Sequence, residues 1–306
     1  MNRPGPTETR RADAVLVAIT AFWGLTFVVV KDAVVRADPF SFLALRFSLG
    51  AVILTLVAWR AMRTPALWRA GVGLGLLLFV GFSAQTSGLQ FTTPSRSAFL
   101  TGLSVLLVPL LSIAITHRRP APSSLLGVAL AVCGLSGLAG GSTLAGGIGK
   151  GEALTLLCAL AFALQMTFLE KLARAHAPAP LVAVQLWTVA ILALAAALVL
   201  GPRVQPGWPL WGAVLVTGVG GSAVALLLQA WAQARTTAVR AALLYALEPV
   251  FASIYSVALG RERLGPREVL GGSLILLGVL VSELGPLAWS RAARALAGAR
   301  RRARSV

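Results

Sequence analysis

Apolar residues fill most of the chain in long stretches that short polar or basic connections separate. A stretch of about 20 apolar residues crosses the roughly 30 Å hydrocarbon core of a bilayer as an α-helix. The pattern predicts ten such helices, at Ala12–Val30, Pro39–Trp59, Ala70–Phe91, Pro94–Thr116, Ser123–Leu138, Glu152–Leu169, Pro180–Leu200, Pro209–Gln233, Val239–Leu259 and Arg267–Pro286. The predicted fold class is therefore an all-α integral membrane protein with ten transmembrane helices.

The composition excludes a soluble domain. Hydrophobic residues make up 57% of the 306 residues and charged residues only 12%, which is typical of an integral membrane protein. The net charge of +17 arises mainly in short connections and a basic tail, without an aromatic-rich basic patch. This charge predicts membrane topology rather than a nucleic-acid partner. The first apolar stretch lacks a clear cleavage site, so we interpret it as an uncleaved helix.

Catalytic and metal-binding signatures are missing from the apolar segments. Cys133 and Cys158 lie inside predicted helices, whereas His117 and His176 lie between helices. This arrangement does not match a disulfide framework or a zinc site, and neither a phosphate-binding loop nor a zinc-protease motif occurs. The sequence therefore predicts no catalytic residue, no metal and no cofactor, and we do not expect an enzyme.

The lysines and arginines predict the orientation. Eighteen of the 27 lie in connections and termini on the N-terminal side of the membrane, and eight lie on the other side. Basic residues are enriched on the cytoplasmic side of membrane proteins. We therefore expect a multi-pass protein of the cytoplasmic membrane with both termini in the cytoplasm.

The two halves of the chain resemble each other. Polar and glycine residues recur at a spacing of 144, which low-complexity apolar sequence does not produce easily. The matching pairs are Gln85 and Gln229, Thr92-Thr93 and Thr236-Thr237, Arg96 and Arg240, Gly127 and Gly271, and Gly134 and Gly278. We interpret residues 1–139 and 152–286 as repeats, joined by a Gly-rich loop at 140–151 and followed by a basic tail at 287–306.

Each repeat contains five predicted helices. Because five is odd, the second repeat must enter the membrane upside down relative to the first. Inverted repeats are the architecture of secondary transporters, whose substrate sites lie near the midplane between the repeats. The predicted architecture is thus two inverted five-helix repeats.

Glu248 lies near the middle of the predicted helix Val239–Leu259. A carboxylate at this depth is costly unless it is paired, protonated or hydrated, which makes it a candidate functional residue. Pro249 removes a backbone hydrogen bond, and Tyr245 lies on the same helix face. We predict a polar substrate pocket here. The structural alternative is a kink with a neutral Glu248 bonded to a neighbouring helix.

Other polar and aromatic residues within the apolar segments are candidates to line the same pocket. The predicted substrate-binding set is Trp23, Phe27, Gln85, Gln165, Gln229, Tyr245 and Glu248. The alternative for the glutamines is a structural hydrogen bond between helices. Trp23 could instead simply pack.

Three arginines and two prolines complete the candidates. Arg46 could pair with Glu248, although snorkelling to the surface or bonding to helix-end carbonyls is favoured. Arg96 and Arg240 stand at helix starts, where a cation opposes the helix dipole, so we assign them a gating or charge-pairing role. Pro109 and Pro249 are predicted helix kinks.

Several motifs occur in an order that points to a known family. They are Trp23-Gly24-x-x-Phe27 with Lys31, Pro39 with Leu45-Arg46-Phe47, the segment from Thr92 to Pro109, and Leu247-Glu248-Pro249-Val250 followed by Gly260-Arg-Glu262-Arg-Leu264. Over nearly its whole length the chain resembles the drug/metabolite transporter superfamily, in its EamA-type ten-helix branch. It departs at Ala163-Leu164, which stands where Trp23-Gly24 would repeat. The resemblance implies a central cavity lined mainly by helices 1, 3, 4, 6, 8 and 9 and transport by alternating access.

The functional hypothesis is a secondary transporter that moves a small metabolite, amino-acid-like or drug-like, across the cytoplasmic membrane. The expected partners are this solute and the lipid bilayer. Export is implied by the resemblance alone, while proton coupling and the oligomeric state are left open. The alternative hypothesis is a non-transporting polytopic receptor or enzyme.

Overall fold

A computed structural model describes residues 5–116, 120–138, 149–260, 263, 265–267 and 269–282. Most of the Gly-rich loop, the end of the last predicted helix and the basic tail lie outside these residues. In the described ranges the regular structure is helical, apart from one isolated bridge between Ala37 and Val204. The described residues thus have the predicted all-α membrane fold.

Ten apolar helices follow one another in the described residues. They are α1 Pro6–Ala33, α2 Pro39–Ala58, α3 Pro65–Gly88, α4 Pro94–Gly102 with Ser104–Thr116, α5 Pro122–Leu138, α6 Lys150–Ala175, α7 Pro178–Leu200, α8 Trp208–Gln233, α9 Ala238–Tyr245 with Glu248–Ala258, and α10 Val269–Ser282. Eight of these described helices are long and apolar enough to cross a bilayer, and α5 and α10 have shorter apolar segments. Their exposed apolar side chains, such as Val57, Leu198 and Val199, form the lipid-facing surface.

Several helices extend beyond the predicted boundaries. Helix α1 begins at Pro6 rather than Ala12, α3 begins at Pro65 rather than Ala70, and α6 ends at Ala175 rather than Leu169. The hydrophobic pattern marks only the segment inside hydrocarbon, whereas the backbone stays helical into the membrane interface. Proline at the first helical position starts α2, α3 and α7, where its missing N–H costs nothing.

Helices α4 and α9 are interrupted at equivalent places. The break in α4 lies at Leu103, and the break in α9 lies at Ala246 and Leu247, so Leu103 and Leu247 are 144 residues apart. In α9, Pro249 cannot donate to the Tyr245 carbonyl, which explains the break. Pro109 lies within the second part of α4, six residues after its break.

Helices α5 and α10 pack closely through glycines. A Cβ atom on Gly127 would lie 2.6 Å from the carbonyl oxygen of Gly278, and a Cβ on Gly134 would collide with the carbonyl oxygen of Gly271. Gly127 corresponds to Gly271 in the repeat, and Gly134 corresponds to Gly278. Exchange of the two repeats therefore converts the Gly127–Gly278 contact into the Gly134–Gly271 contact. A two-fold axis that relates two antiparallel helices requires this equivalence.

Replacement of Gly134 by alanine should destabilise the protein. The new methyl group would press on the Gly271 backbone, and overpacking of this kind costs about 1–3 kcal/mol. The matched control is Gly73→Ala, because a Cβ there meets no atom within 4 Å and alanine favours a helix. Thermal unfolding in detergent should show a lower Tm for Gly134→Ala and an equal or higher Tm for Gly73→Ala. Equal Tm values for all three proteins would contradict the close contact.

Asp38 ties the connection after α1 to the connection after α7. Its Oδ1 accepts hydrogen bonds from the backbone N–H groups of Phe40 and Ser41, at 3.1 and 2.9 Å, and thereby caps α2. Its Oδ2 accepts from the Arg203 N–H at 2.8 Å, and its own N–H donates to the Arg203 carbonyl. The C-terminal ends of α1 and α7 therefore lie at the same membrane face, which we call the distal face. The opposite membrane face, where α1 begins, is called the N face.

Asp38→Ala should lower the free energy of unfolding by about 1 kcal/mol, the usual value of an N-cap. Partial burial by itself raises the pKa of Asp38, but hydrogen bonds from Ser41, Arg203 and Phe40 outweigh it and hold the pKa below its ordinary value. The ionised form therefore stabilises the fold above the unfolded-state pKa of about 3.9, and this contribution is lost as the pH falls through the lower folded-state pKa. The Tm difference between wild type and variant should accordingly narrow at acid pH. A difference that grows on acidification would contradict this assignment.

Candidate functional site

A small cavity of about 50 Å³ lies at the centre of the helices, with room for only a few water molecules. Its walls come from α1, α2, α3, α4, α6, α8 and α9. The lining residues are Trp23, Thr26, Phe27, Arg46, Leu78, Phe82, Gln85, Thr101, Ser104, Phe162, Gln165, Met166, Leu226, Gln229, Tyr245 and Glu248. All seven residues of the predicted substrate-binding set lie around this one cavity. Helix α2 joins the expected helices through Arg46.

The two repeats contribute equivalent positions to the cavity. Four lining pairs are separated by 144 residues, namely Phe82 and Leu226, Gln85 and Gln229, Thr101 and Tyr245, and Ser104 and Glu248. The cavity therefore lies on the axis that relates the repeats. Its chemistry is asymmetric, because the second repeat presents a phenol and a carboxyl group where the first presents two small hydroxyls. The 144-residue spacing could have identified Thr101 and Ser104 from the sequence, and our sequence reasoning missed both.

Glu248 and Tyr245 flank the break in α9, so both side chains project beside the interruption. Glu248 is 9% exposed and makes no ion pair or side-chain hydrogen bond to another described residue. The Tyr245 hydroxyl is buried without a partner, and its ring centroid lies 5.4 Å from that of Trp23. Polar groups buried in this way are costly, and an enclosed ligand or water could satisfy them.

Arg46 lies deep among the helices, with 2% of its surface exposed. Its Nε donates to the Ser222 hydroxyl at 2.8 Å, and its guanidinium lies 5.1 Å and 5.0 Å from the ring centroids of Phe47 and Phe82. The expectation that Arg46 snorkels to the surface is wrong, because the hydroxyl and the two aromatic faces replace water around the charge. Among the ion pairs of the described residues, none joins Arg46 to Glu248.

A widened turn in α8 positions both Arg46 and Trp23. Residues Val216–Val224 form a π-helix between two α-helical parts, a feature that the hydrophobic pattern did not reveal. The Trp23 Nε1 donates to the Gly221 carbonyl oxygen at 3.0 Å, and the adjacent Ser222 accepts from Arg46. A Cβ on Gly218 would lie 2.8 Å from the Arg46 carbonyl oxygen. Glycine therefore lets α8 approach α2 closely enough for these contacts.

The glutamines form a hydrogen-bonded cluster. Gln229 Nε2 donates to the side-chain oxygens of Gln165 and Gln233, at 3.4 and 3.1 Å. Gln165 donates in turn to Gln185 at 3.4 Å. Gln165 and Gln229 thus line the cavity and also join α6 to α8, so the two interpretations offered by the sequence apply together. Gln85 stands apart and donates to the Thr101 hydroxyl at 3.2 Å.

Arg96 and Arg240 do not reach the cavity. Arg96 forms an ion pair with Glu152 at 3.1 Å, and Arg240 forms an ion pair with Asp13 at 2.7 Å. Each arginine stands in the first turn of its helix, after a threonine cap, so the acid offsets the unfavourable helix dipole. Sequence reasoning did not identify Asp13 and Glu152, which lie near the starts of α1 and α6.

Removal of the Ser222 hydroxyl should destabilise the protein by about 1–3 kcal/mol, because Ser222→Ala leaves a buried charged donor without its acceptor. The matched control is Ser256→Ala. Ser256 is also fully buried, but its hydroxyl has no partner. Thermal unfolding in detergent should give a lower Tm for Ser222→Ala and little change for Ser256→Ala. Similar losses in both variants would indicate that the Arg46 contact contributes nothing specific.

Comparison with solved structures supports the fold. One chain, titled "Crystal structure of protein", superposes with a TM-score of 0.75 over 90% of this chain and 97% of its own length, at 22% identity. At this level of identity the likeness shows the fold alone.

Two curated relatives are named as transporters. An "Uncharacterized transporter" of Archaeoglobus fulgidus is 31% identical over 275 residues, which cover 89% of this chain and 86% of the relative. The "Uncharacterized transporter YetK" of Bacillus subtilis is 30% identical over 126 residues, or 39% of this chain and 38% of the relative. The model of the EamA-like transporter family matches twice, at residues 10–140 and 149–284. The chain therefore belongs to the EamA-like transporter family and is a multi-pass membrane transporter.

Proposed function

We propose that the protein moves a small organic cation or zwitterion across the cytoplasmic membrane by alternating access, in the direction of export. The observation that carries the proposal is the small central cavity, which lies on the axis between the repeats and is lined by aromatic rings and by Glu248, a carboxyl group with no ion pair among the described residues. Secondary transporters with inverted repeats bind their solutes at this place.

The charges of the cavity favour a solute that carries a positive group. Arg46 already bonds to Ser222 and lies against two aromatic rings, whereas Glu248 has no partner among the described residues. An ammonium group could approach Glu248 and the faces of Trp23 and Tyr245 together, since cations are attracted to aromatic rings. A polyphosphate would meet a single arginine and a repelling carboxylate.

The size of the cavity supports a change of shape during transport. At about 50 Å³ it is far smaller than the roughly 300–1,000 Å³ of typical ligand pockets. A metabolite can therefore bind only after the helices separate. The breaks in α4 and α9 and the widened turn in α8 are suitable hinges, because each interrupts the regular hydrogen-bond ladder next to the cavity.

The orientation and the coupling complete the proposal. The bias of basic residues toward the N face supports a cytoplasmic N face. Glu248 could bind either a proton or the cationic solute, but not both at once. Competition of this kind would couple the entry of a proton to the export of the solute.

Glu248→Gln should abolish most transport of a cationic solute. Glutamine keeps the size of the side chain and removes its charge, and a charged hydrogen bond worth about 1.5–3 kcal/mol corresponds to a roughly ten- to hundredfold loss of affinity. The measurement is uptake of labelled amines and amino acids into proteoliposomes across a pH series. The residual flux of Glu248→Gln should be the same at each pH, because protons no longer compete with the solute for a carboxylate.

The matched control is Ser104→Ala, at the equivalent position of the first repeat, which leaves the carboxyl group in place. This variant should retain flux within about twofold of wild type, in line with the small net value of a neutral hydrogen bond. Wild-type flux at every pH in Glu248→Gln would refute the carboxylate's role. Binding of a solute without flux in the wild type would indicate a receptor instead of a transporter.

A further inference from the structure

Two ion pairs lie at opposite membrane faces of the helix bundle. Asp13, in the first part of α1, pairs with Arg240 at the start of α9. Glu152, at the start of α6, pairs with Arg96 at the start of α4. Counting the membrane crossings from α1 places the Asp13–Arg240 pair at the N face and the Glu152–Arg96 pair at the distal face.

The two pairs occupy corresponding places in the two repeats, although the acids are one residue off the spacing that aligns Trp23 with Ala163. Arg96 and Arg240 are 144 residues apart, and Asp13 and Glu152 are 139 apart. Each pair joins an acid from one repeat to an arginine from the other. The acid in both cases lies ten residues before an aromatic residue of the cavity wall, Trp23 or Phe162, which is about 15 Å along the helix.

The contacts of Lys31 and Arg174 near these pairs differ from them, because each stays within one repeat. At the distal face, the Lys31 Nζ donates to the carbonyl oxygens of Leu89 and Thr92. At the N face, Arg174 donates to the carbonyl oxygen of Thr236, which is equivalent to Thr92. These bonds fix helices of the same repeat to each other. The acid–arginine pairs instead hold helices of different repeats together.

We propose that the Asp13–Arg240 and Glu152–Arg96 pairs are the two gates of the transport cycle, which open one at a time. This inference rests on the proposed alternating access and adds the gating residues to it. Both pairs are formed in the structure, which agrees with a cavity too small for a metabolite. Opening either pair separates α1 from α9 at the N face, or α6 from α4 at the distal face.

Burial explains why the gates alternate. Asp13 is 9% exposed and Glu152 is 8% exposed, so opening a pair leaves a carboxylate without its arginine in a poorly hydrated place. A state with both pairs open carries this cost twice and also lets the cavity leak. The closed pair does not satisfy the Asp13 carboxylate completely, because its second oxygen is buried without a hydrogen-bond partner.

The gates can be tested by side-specific labelling, without a known solute. Cys133 and Cys158 are replaced by alanine, and Ser104→Cys provides a reporter in the cavity wall. The rate of reaction with a membrane-impermeant thiosulfonate is then measured from each side of sealed vesicles. The orientation of the protein in the vesicles is determined from the accessibility of an N-terminal epitope. Asp13→Asn should raise the rate from the N-face side by about fivefold or more, the lower end for coupled sites, and lower it from the distal side. Glu152→Gln should do the opposite.

Matched controls change the charge at each face without touching either pair. Arg235 lies at the N face just after α8 and bonds to the Trp231 carbonyl oxygen, and Arg36 is exposed at the distal face in the connection after α1. Arg235→Gln and Arg36→Gln should leave both labelling rates unchanged. The exchange variant Asp13→Arg with Arg240→Asp should restore the rates of the reporter protein.

A metal bridge keeps the test decisive if Asp13→Asn does not fold. In Asp13→His with Arg240→His, Zn²⁺ should suppress labelling from the N-face side by joining the two imidazoles, and a chelator should restore it. Equal changes from both sides, or no change in any variant, would overturn the gating assignment even if solute flux is observed. Alternating labelling without flux of any solute would uphold the gates and refute the proposed transport.

Discussion

Polar groups inside a bilayer have no bulk water to bind, so each must find a partner within the protein. This requirement organises the centre of the molecule. The Trp23 indole bonds to a carbonyl that the widened turn of α8 makes available, and Arg46 bonds to the next residue in that turn. The buried glutamines satisfy one another between α6 and α8. Glu248 and the Tyr245 hydroxyl are left beside the cavity, where an enclosed ligand or water can complete them.

Duplication determines where these groups lie. Because the repeats are inverted, contacts across the axis can occur twice with their roles exchanged, as the glycine contacts of α5 with α10 and the two acid–arginine pairs show. A two-fold arrangement gives a transporter equivalent closures at its two faces. The cavity itself departs from the symmetry, since the first repeat has Ser104 at the position where the second repeat has Glu248. Similar ion pairs at the two membrane faces and an asymmetric cavity between them are suited to a transporter that exposes one binding site to each side of the membrane in turn.

Much of the fold could be predicted because its determinants are local. The length of an apolar stretch specifies a spanning helix, Thr93 and Thr237 specify helix starts, and polar residues that recur at one spacing specify the duplication. The seven candidate residues were chosen as polar or aromatic residues within apolar segments, and all seven line one cavity in the structure. Helix ends were less accurate, since hydrophobicity ends at the membrane boundary and the helix does not.

The sequence by itself determined the helices, their inverted pairing and the positions of the unusual polar residues, because each depends on neighbours or on a fixed spacing. Only the tertiary structure decided which polar residue meets which partner. Asp13 and Arg240 are 227 positions apart, and Arg46 and Ser222 are 176 apart. No periodicity connects such residues. Their pairing depends on the close approach of helices through glycine and on the π-turn of α8, both of which result from the packing of the whole bundle.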